Sequence, residues 1–190
     1  MKNCLIVGIG QIGFRHLQGL VKVKEPLIIY LMDSSIDSIL KAKNRFNELA
    51  ICSDHKIIFL NSLSEIDKKI HLALITTTAN ARLKVVKNVM DKCDVENWVL
   101  EKVLAQSVKE LELIRSSLRG CRGAWVNTPR RMMAWHQSLK ATFASNGPLT
   151  VSFSGEEIDE GLWGIASNSI HFIDLVAWWS GETLLSVDTT

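Results

Sequence analysis

A glycine motif near the N-terminus constrains the fold of this chain more than any other feature. A short apolar run over residues 4–7 opens directly onto residues 8–13, Gly-Ile-Gly-Gln-Ile-Gly, with the spacing Gly-x-Gly-x-x-Gly. An apolar run that ends in this spacing predicts a strand, a tight turn and a helix that starts inside the motif. The first glycine permits the turn, and the third lets the helix pack closely on the strand.

The start of this helix is predicted to bind a diphosphate group. The first backbone N–H groups of a helix have no partners within it, and the helix dipole adds partial positive charge there. The second glycine lets the backbone approach such an anion closely. The candidate cofactor-binding residues in the motif are Gly8, Gly10, Gln11, Ile12 and Gly13.

A second apolar run, residues 27–32, ends at Asp33, which follows Gly13 by twenty residues. At this spacing a carboxylate at the end of the second strand accepts hydrogen bonds from the ribose hydroxyls of adenosine. The negative charge of Asp33 would also repel the 2′-phosphate of NADP, so NAD is favoured as the cofactor over NADP. The alternative is that Asp33 caps the next helix, in the sequence Asp33-Ser34-Ser35.

Apolar runs and one-faced helical patterns alternate over the first 121 residues. Strands are predicted at 57–60, 72–75 and 97–101, and helices at 34–50, 79–90 and 107–118. Alternation of this kind requires right-handed crossovers and a parallel sheet. We therefore predict an α/β fold, with a Rossmann-type doubly wound parallel sheet in residues 1–121 followed by an incomplete α+β domain in residues 122–190.

Charge and cysteine content exclude several other classes of protein. The formal net charge of the 190 residues is +2 with Lys and Arg dispersed, so nothing favours a nucleic-acid partner. No apolar run reaches membrane-spanning length, so no membrane partner is predicted either. The four cysteines lie far apart without a Cys-x-x-Cys pair, which argues against a metal site or a disulfide framework and fits a cytoplasmic protein.

Ligands of parallel sheets bind at the carboxyl ends of the strands. Thr76 and Thr77 follow the predicted fourth strand, and they are either cofactor-binding residues or simply β-prone residues at a strand end. Glu101 and Lys102 follow the fifth strand. Burial beside the positive ring of a nicotinamide would lower the pKa of Lys102 toward a value useful for proton transfer. The alternative is a structural salt bridge between Lys102 and Glu101 or another acid.

Taken in order, these motifs resemble the Gfo/Idh/MocA family of nicotinamide-dependent oxidoreductases. That family usually has Glu-Lys-Pro after the fifth strand, where this sequence has Glu101-Lys102-Val103. The resemblance implies that Glu101 binds the cofactor and that Lys102 is a catalytic acid/base. Val103 departs from the family pattern, in which a proline fixes the backbone φ angle.

The resemblance extends beyond residue 122. Residues 125–131 are similar to the family's strand that enters the second domain and ends in polar residues facing the substrate, which implies that Arg131 binds substrate. Residues 164–174 look like the family's active-site helix. That likeness implies a catalytic His171 and substrate binding by Asn168 and Asp174.

Many dehydrogenases of the family carry an aspartate four residues before this histidine, where the present sequence has Ser167. A serine or asparagine can orient a substrate hydroxyl but cannot supply the charge of a carboxylate. The alternative interpretation is that Ser167 or Asn168 caps a buried helix that ends at Gly181. The two interpretations are compatible.

The resemblance implies hydride transfer between NAD and a secondary alcohol or ketone of a small carbohydrate-like substrate, namely a sugar, nucleotide sugar or polyol. The family's second domain is larger than residues 122–190, so the resemblance also implies a truncated second domain. The alternatives are a non-catalytic dinucleotide-binding or sensor protein, and an inactive truncated member of the family.

Predicted strands at 149–153 and 184–190 would form a small sheet with an open edge. Trp163, Trp178 and Trp179 add apolar area in the same region, and exposed apolar area of this kind marks interfaces. We therefore expect a homo-oligomer that associates through the region after residue 122. The alternative is that these tryptophans pack internally against the nucleotide domain.

Overall fold

A computed structural model of the chain describes residues 1–48, 54–146 and 169–181. Backbone contacts divide the chain into two units, Met1–Asn127 and Thr128–Thr190. The first unit contains a parallel sheet with flanking helices, and the described part of the second unit is helical.

The sheet of the first unit has six strands, and every pair of neighbouring strands is parallel. Their order across the sheet is β3-β2-β1-β4-β5-β6, the order of a Rossmann fold. The predicted α/β fold with a Rossmann-type parallel sheet is therefore confirmed. The strands are β1 (Lys2–Val7), β2 (Leu27–Met32), β3 (Lys56–Phe59), β4 (Leu72–Ile75), β5 (Asn97–Leu100) and β6 (Gly123–Val126).

The central part of the sheet is buried on both faces, which explains the continuous apolar runs at residues 4–7, 27–32 and 72–75. Successive side chains of a strand point to opposite faces. On β1, Leu5 and Val7 belong to one hydrophobic cluster, whereas Cys4 and Ile6 belong to the other. Four helices connect the strands: α1 (Gln11–Leu20), α2 (Ile36–Glu48), α3 (Ala79–Lys92) and α4 (Val108–Ser117).

The last strand of the sheet, β6, pairs with β5 over residues 123–126. Because of this pairing, backbone contacts divide the chain after Asn127, whereas the predicted boundary follows residue 121. The predicted roles of the two parts, a cofactor domain before the boundary and a substrate or oligomerisation domain after it, stay predictions.

The second unit begins with a short 3-10 turn, Pro129–Met132, followed by α5 (Ala134–Asn146) and α6 (Ile170–Ser180). Helix α6 ends as predicted at Gly181, whose φ angle of 72° is in the left-handed region that favours glycine. Trp179 of α6 is buried, and its Nε1 donates a hydrogen bond to the His136 carbonyl oxygen of α5 at 3.1 Å. The two helices therefore pack on one another.

Several expectations fall outside the described residues: the strands at 149–153 and 184–190, Trp163, and the possible helix caps Ser167 and Asn168. Among the described helices, none combines the length and apolar character needed to cross a membrane.

Candidate functional site

The glycine motif forms the turn between β1 and α1. Gly8 has a φ of 94°, which side chains other than glycine rarely adopt, and its N–H donates to the Met32 carbonyl oxygen at 2.8 Å. A Cβ atom on Gly13 would overlap the Gly8 carbonyl oxygen and lie 2.8 Å from Thr76 Oγ1. The fold therefore requires glycine at both ends of the motif.

Gly10, between them, is different. It precedes the first residue of α1 with a φ of −63°, which any residue adopts, and a Cβ atom there would meet no described atom within 4 Å. Nothing in the described part of the fold needs glycine at this position. The open space in front of the helix start is what an approaching diphosphate requires.

Asp33 connects this loop to the end of β2. Its Oδ2 accepts a hydrogen bond from the Ile9 N–H at 2.7 Å, and its Oδ1 accepts one from the Ser35 N–H at 2.8 Å. The bond to Ser35 orders the turn before α2, whose first residues are capped by Ser35 Oγ at 3.2 Å from the Ser38 nitrogen. A carboxylate has about four acceptor sites, so these bonds leave capacity for ribose hydroxyls.

The two threonines after β4 have different surroundings. The Thr76 hydroxyl donates to the Val7 carbonyl oxygen at 3.1 Å and also contacts the Gly8 carbonyl oxygen, so it fixes the glycine turn. Thr77 Oγ1 is buried and has no hydrogen-bond partner among the residues that the structure describes. Buried polar atoms normally form a hydrogen bond, so this hydroxyl is a candidate for a hydrogen bond to a bound ligand.

An open cavity of about 440 Å³ adjoins Gly10. Gln11 of α1 lines one side, and Ser38, Lys41 and Arg45 of α2 line the other. Lys41 is paired with Asp37 at 2.6 Å. The cavity thus joins the helix start to a partly basic wall.

Glu101 lies buried at the carboxyl end of β5. Its Oε1 is 2.7 Å from His16 Nε2 and accepts a hydrogen bond from Asn127 Nδ2 at 2.6 Å. Burial raises the pKa of Glu101, but the hydrogen bonds from His16 and Asn127 and the positive charge of Arg82 outweigh it and hold the pKa below its usual value. Glu101 is therefore ionised at neutral pH.

Arg82 of α3 connects the two loops at this edge of the sheet. The residue is only 1% exposed, and its guanidinium donates to the carbonyl oxygens of Thr77 and Val103. Burial lowers the pKa of Arg82 to about 10, against the opposing effect of Glu101, so Arg82 remains charged at neutral pH. The peptide bond between Lys102 and Val103 is cis.

The predicted catalytic residues belong to different units. Lys102 is half-buried and follows Glu101 in the first unit, whereas His171 lies in the first turn of α6 in the second. Within the second unit, Arg131 Nε donates to Asp174 Oδ2 at 2.7 Å, and Arg131 Nη2 donates to the other carboxylate oxygen. The structure therefore brings together two predicted substrate-binding residues, while Asn168 lies outside the described residues.

Neither His16 nor Arg82 was predicted from the sequence as a site residue. His16 lies one turn after Gly13 on α1, a spacing that could have associated it with the glycine motif. Arg82 interrupts the buried face of α3, where an apolar residue is expected. Within the described ranges, no three His, Cys, Asp or Glu side chains lie close enough to hold a metal ion.

Comparison with solved structures identifies the fold. Myo-inositol dehydrogenase from Lactobacillus casei, in complex with NAD(H) and myo-inositol, matches with a TM-score of 0.73 and 17% identity over 95% of this chain and 55% of that chain. A protein from Desulfitobacterium hafniense named as an NADPH-dependent oxidoreductase matches with a TM-score of 0.73 and 14% identity over 95% of this chain and 55% of that chain. Myo-inositol 2-dehydrogenase from Lactobacillus plantarum matches with a TM-score of 0.65 and 18% identity over 95% of this chain and 56% of that chain.

The chain spans about 55% of the length of these solved structures. Neither a scan of protein-family models nor a search of curated proteins gave a match. The structural neighbours include inositol dehydrogenases and other oxidoreductases, and the likeness to them shows the fold alone, so the family resemblance stays a prediction. The chain has a Rossmann-like α/β fold in common with these solved structures.

Proposed function

We propose that the chain binds a nicotinamide dinucleotide at the glycine motif and transfers a hydride between it and a secondary alcohol or ketone. The open space at Gly10 carries this proposal. Gly8 and Gly13 are required by the turn itself, but Gly10 meets no described atom that would exclude a side chain. An incoming diphosphate, held by the N–H groups of Gln11 and Ile12, gives a reason for glycine at that position.

NAD is the proposed cofactor in preference to NADP. Asp33 would accept hydrogen bonds from the ribose hydroxyls, and its charge would repel a 2′-phosphate. The buried Thr77 hydroxyl would donate to the cofactor, with Thr76 and Glu101 holding the surrounding loops. When bound, the nicotinamide supplies the hydride chemistry.

The protein's own contribution would be proton transfer and orientation. Lys102, at the carboxyl edge of the sheet, is the proposed acid/base for the reacting oxygen, assisted by His171. Arg131, Asn168 and Asp174 are the proposed contacts to substrate hydroxyls. The paired Arg131 and Asp174 offer N–H donors and carboxylate acceptors side by side, which suits a polyhydroxy compound.

The proposed substrate class is a polyol, sugar or nucleotide sugar. The likeness in fold to the myo-inositol dehydrogenase neighbour, solved in complex with NAD(H) and myo-inositol, supports a polyol.

A second candidate is dinucleotide binding without catalysis, as in a sensor protein. Ser167 occupies the position of the aspartate found in many of the family's dehydrogenases, so no carboxylate charge is available there. Titration with NADH and NADPH, followed by turnover assays on myo-inositol and a panel of sugars, distinguishes the candidates. Turnover supports the oxidoreductase, binding without turnover supports the sensor, and absence of dinucleotide binding rejects both.

We also propose that the chain forms a homo-oligomer through its second unit. Met132 is 81% exposed and Trp135 is 59% exposed, so this unit presents apolar surface to a partner copy. Light scattering over a concentration series is expected to show association, and a monomer at all concentrations would contradict it. The free thiols Cys4, Cys93 and Cys121 are compatible with the proposed cytoplasmic location.

A further inference from the structure

Three polar side chains from distant parts of the chain, His16, Glu101 and Asn127, meet at the carboxyl edge of the sheet. We call them the Glu101 cluster. We propose that His16 is a positioning residue, which orients Lys102 beside the dinucleotide by holding the Glu101 carboxylate. This inference rests on the proposed function.

The hydrogen-bond geometry assigns the direction of each bond in the cluster. Glu101 is ionised and can only accept, so His16 Nε2 carries a proton and donates to Glu101 Oε1 at 2.7 Å. Asn127 Nδ2 donates to the same oxygen at 2.6 Å. The 3.5 Å approach of His16 Nε2 to Asn127 Nδ2 then joins two donors and contributes no hydrogen bond. One carboxylate oxygen thus fixes side chains of α1 and of the segment after β6.

These contacts hold the backbone on both sides of Lys102. Before it, Glu101 is held by its side chain, and its N–H donates to the Ile75 carbonyl oxygen of β4 at 3.1 Å. After it, the Val103 carbonyl oxygen accepts from the buried Arg82. The backbone from which the Lys102 side chain projects is therefore held on both sides, and His16 supplies the anchor on α1.

Helix α1 also begins in the glycine motif. The same helix that would hold the diphosphate at its first residues holds Glu101 through His16 about one turn later. The contacts that shape the glycine turn do not involve His16, since they join Gly8 to Met32 and Asp33 to Ile9. Loss of the His16 side chain is therefore expected to displace Lys102 while leaving dinucleotide affinity intact.

The position of Lys102 and the affinity for NADH are both measured in His16→Leu, a variant that keeps a side chain of similar volume but has no hydrogen-bond donor. NADH affinity is measured by fluorescence titration. Modification of Lys102 by trinitrobenzenesulfonate is measured by peptide mass spectrometry with and without saturating NADH. The exposed Arg15 on the same helix provides the control Arg15→Ala. His16→Gln keeps an N–H donor that can reach the Glu101 carboxylate.

In the unaltered chain and in Arg15→Ala, NADH is expected to protect Lys102 from modification. In His16→Leu we expect an NADH affinity within about threefold of that of the unaltered chain, together with loss of the protection of Lys102. Where turnover is measurable, we expect a kcat about 100-fold lower at a nearly unchanged KM for the cofactor, as for a misplaced catalytic group. His16→Gln is expected to restore the protection.

Full protection in His16→Leu would overturn the positioning role, as would a parallel loss of NADH affinity or equal loss of protection in His16→Gln. If His16→Leu does not fold by circular dichroism, His16→Ala removes the same donor and is judged by the same criteria. Failure of the unaltered chain to bind NADH would instead reject the proposed function, and this inference with it.

Discussion

Replacement of Gly10 by valine separates the requirements of the fold from those of the ligand. Because a Cβ atom there meets no described atom within 4 Å and φ is −63°, the change in unfolding free energy is expected to stay within about 1 kcal/mol. The side chain would instead fill the space proposed for the diphosphate. Loss of one or two charge-assisted hydrogen bonds from the helix start costs about 3 kcal/mol, roughly a hundredfold in Kd.

Gly13→Ala gives the opposite expectation. Its Cβ would overlap the Gly8 carbonyl oxygen, a backbone atom that cannot move without opening the turn. The cost is expected to reach about 3 kcal/mol, which lowers the Tm of a chain of this size by roughly 6–12 °C.

The assay pairs thermal unfolding by circular dichroism with NADH titration by fluorescence. Gly19 is the matched control, since it lies on the same helix and a Cβ there also meets no described atom within 4 Å. Gly19→Val is expected to bind NADH as the unaltered chain does. Unchanged affinity in Gly10→Val, at unchanged stability, would refute the diphosphate site.

Three further predictions concern single side chains. Asp33→Ala is expected to reduce the preference for NADH over NADPH, measured as the ratio of their Kd values, and an unchanged ratio would leave Asp33 with its structural bonds to Ile9 and Ser35 alone. Lys102→Ala is expected to lower kcat by roughly 10²- to 10⁴-fold, as for a lost acid/base, with NADH affinity retained; near-normal turnover would remove it from the mechanism. Burial and the nearby charge of Arg130 lower the pKa of His136 below 6.5, because the folded state disfavours the protonated imidazole. The unfolded state therefore binds the proton more readily, so the free energy of unfolding is fully retained above pH 6.5 and decreases as the pH falls below that value. Urea unfolding at pH 7.5 and 5.5 is expected to show a larger loss of stability on acidification in the unaltered chain than in His136→Phe, and equal losses would contradict it.

The fold could be predicted from the sequence because its signals are local. Strand β4 has the predicted bounds, since a continuous apolar run marks a strand buried on both faces. Helix α2 starts two residues after the predicted position because Ser35 caps it. The glycine turn and Asp33 also depend on short spacings that a sequence displays directly.

The Glu101 cluster could not be predicted in the same way. The bond from His16 to Glu101 spans 85 residues, and the bond from Asn127 to Glu101 spans 26. Such pairs arise from the order of strands in the sheet, which hydrophobic periodicity does not specify. Arg82 was missed for a related reason, because its acceptors are backbone carbonyl oxygens of two loops.

The proposed function depends above all on binding of a nicotinamide dinucleotide at the glycine motif. It is tested most directly by adding NADH to the ¹⁵N-labelled chain and following the backbone amide signals by two-dimensional NMR. We expect saturable shifts concentrated at residues 8–13, Asp33 and Thr77, and their loss in Gly10→Val. Absence of saturable shifts, or saturable shifts confined to other residues, would contradict it.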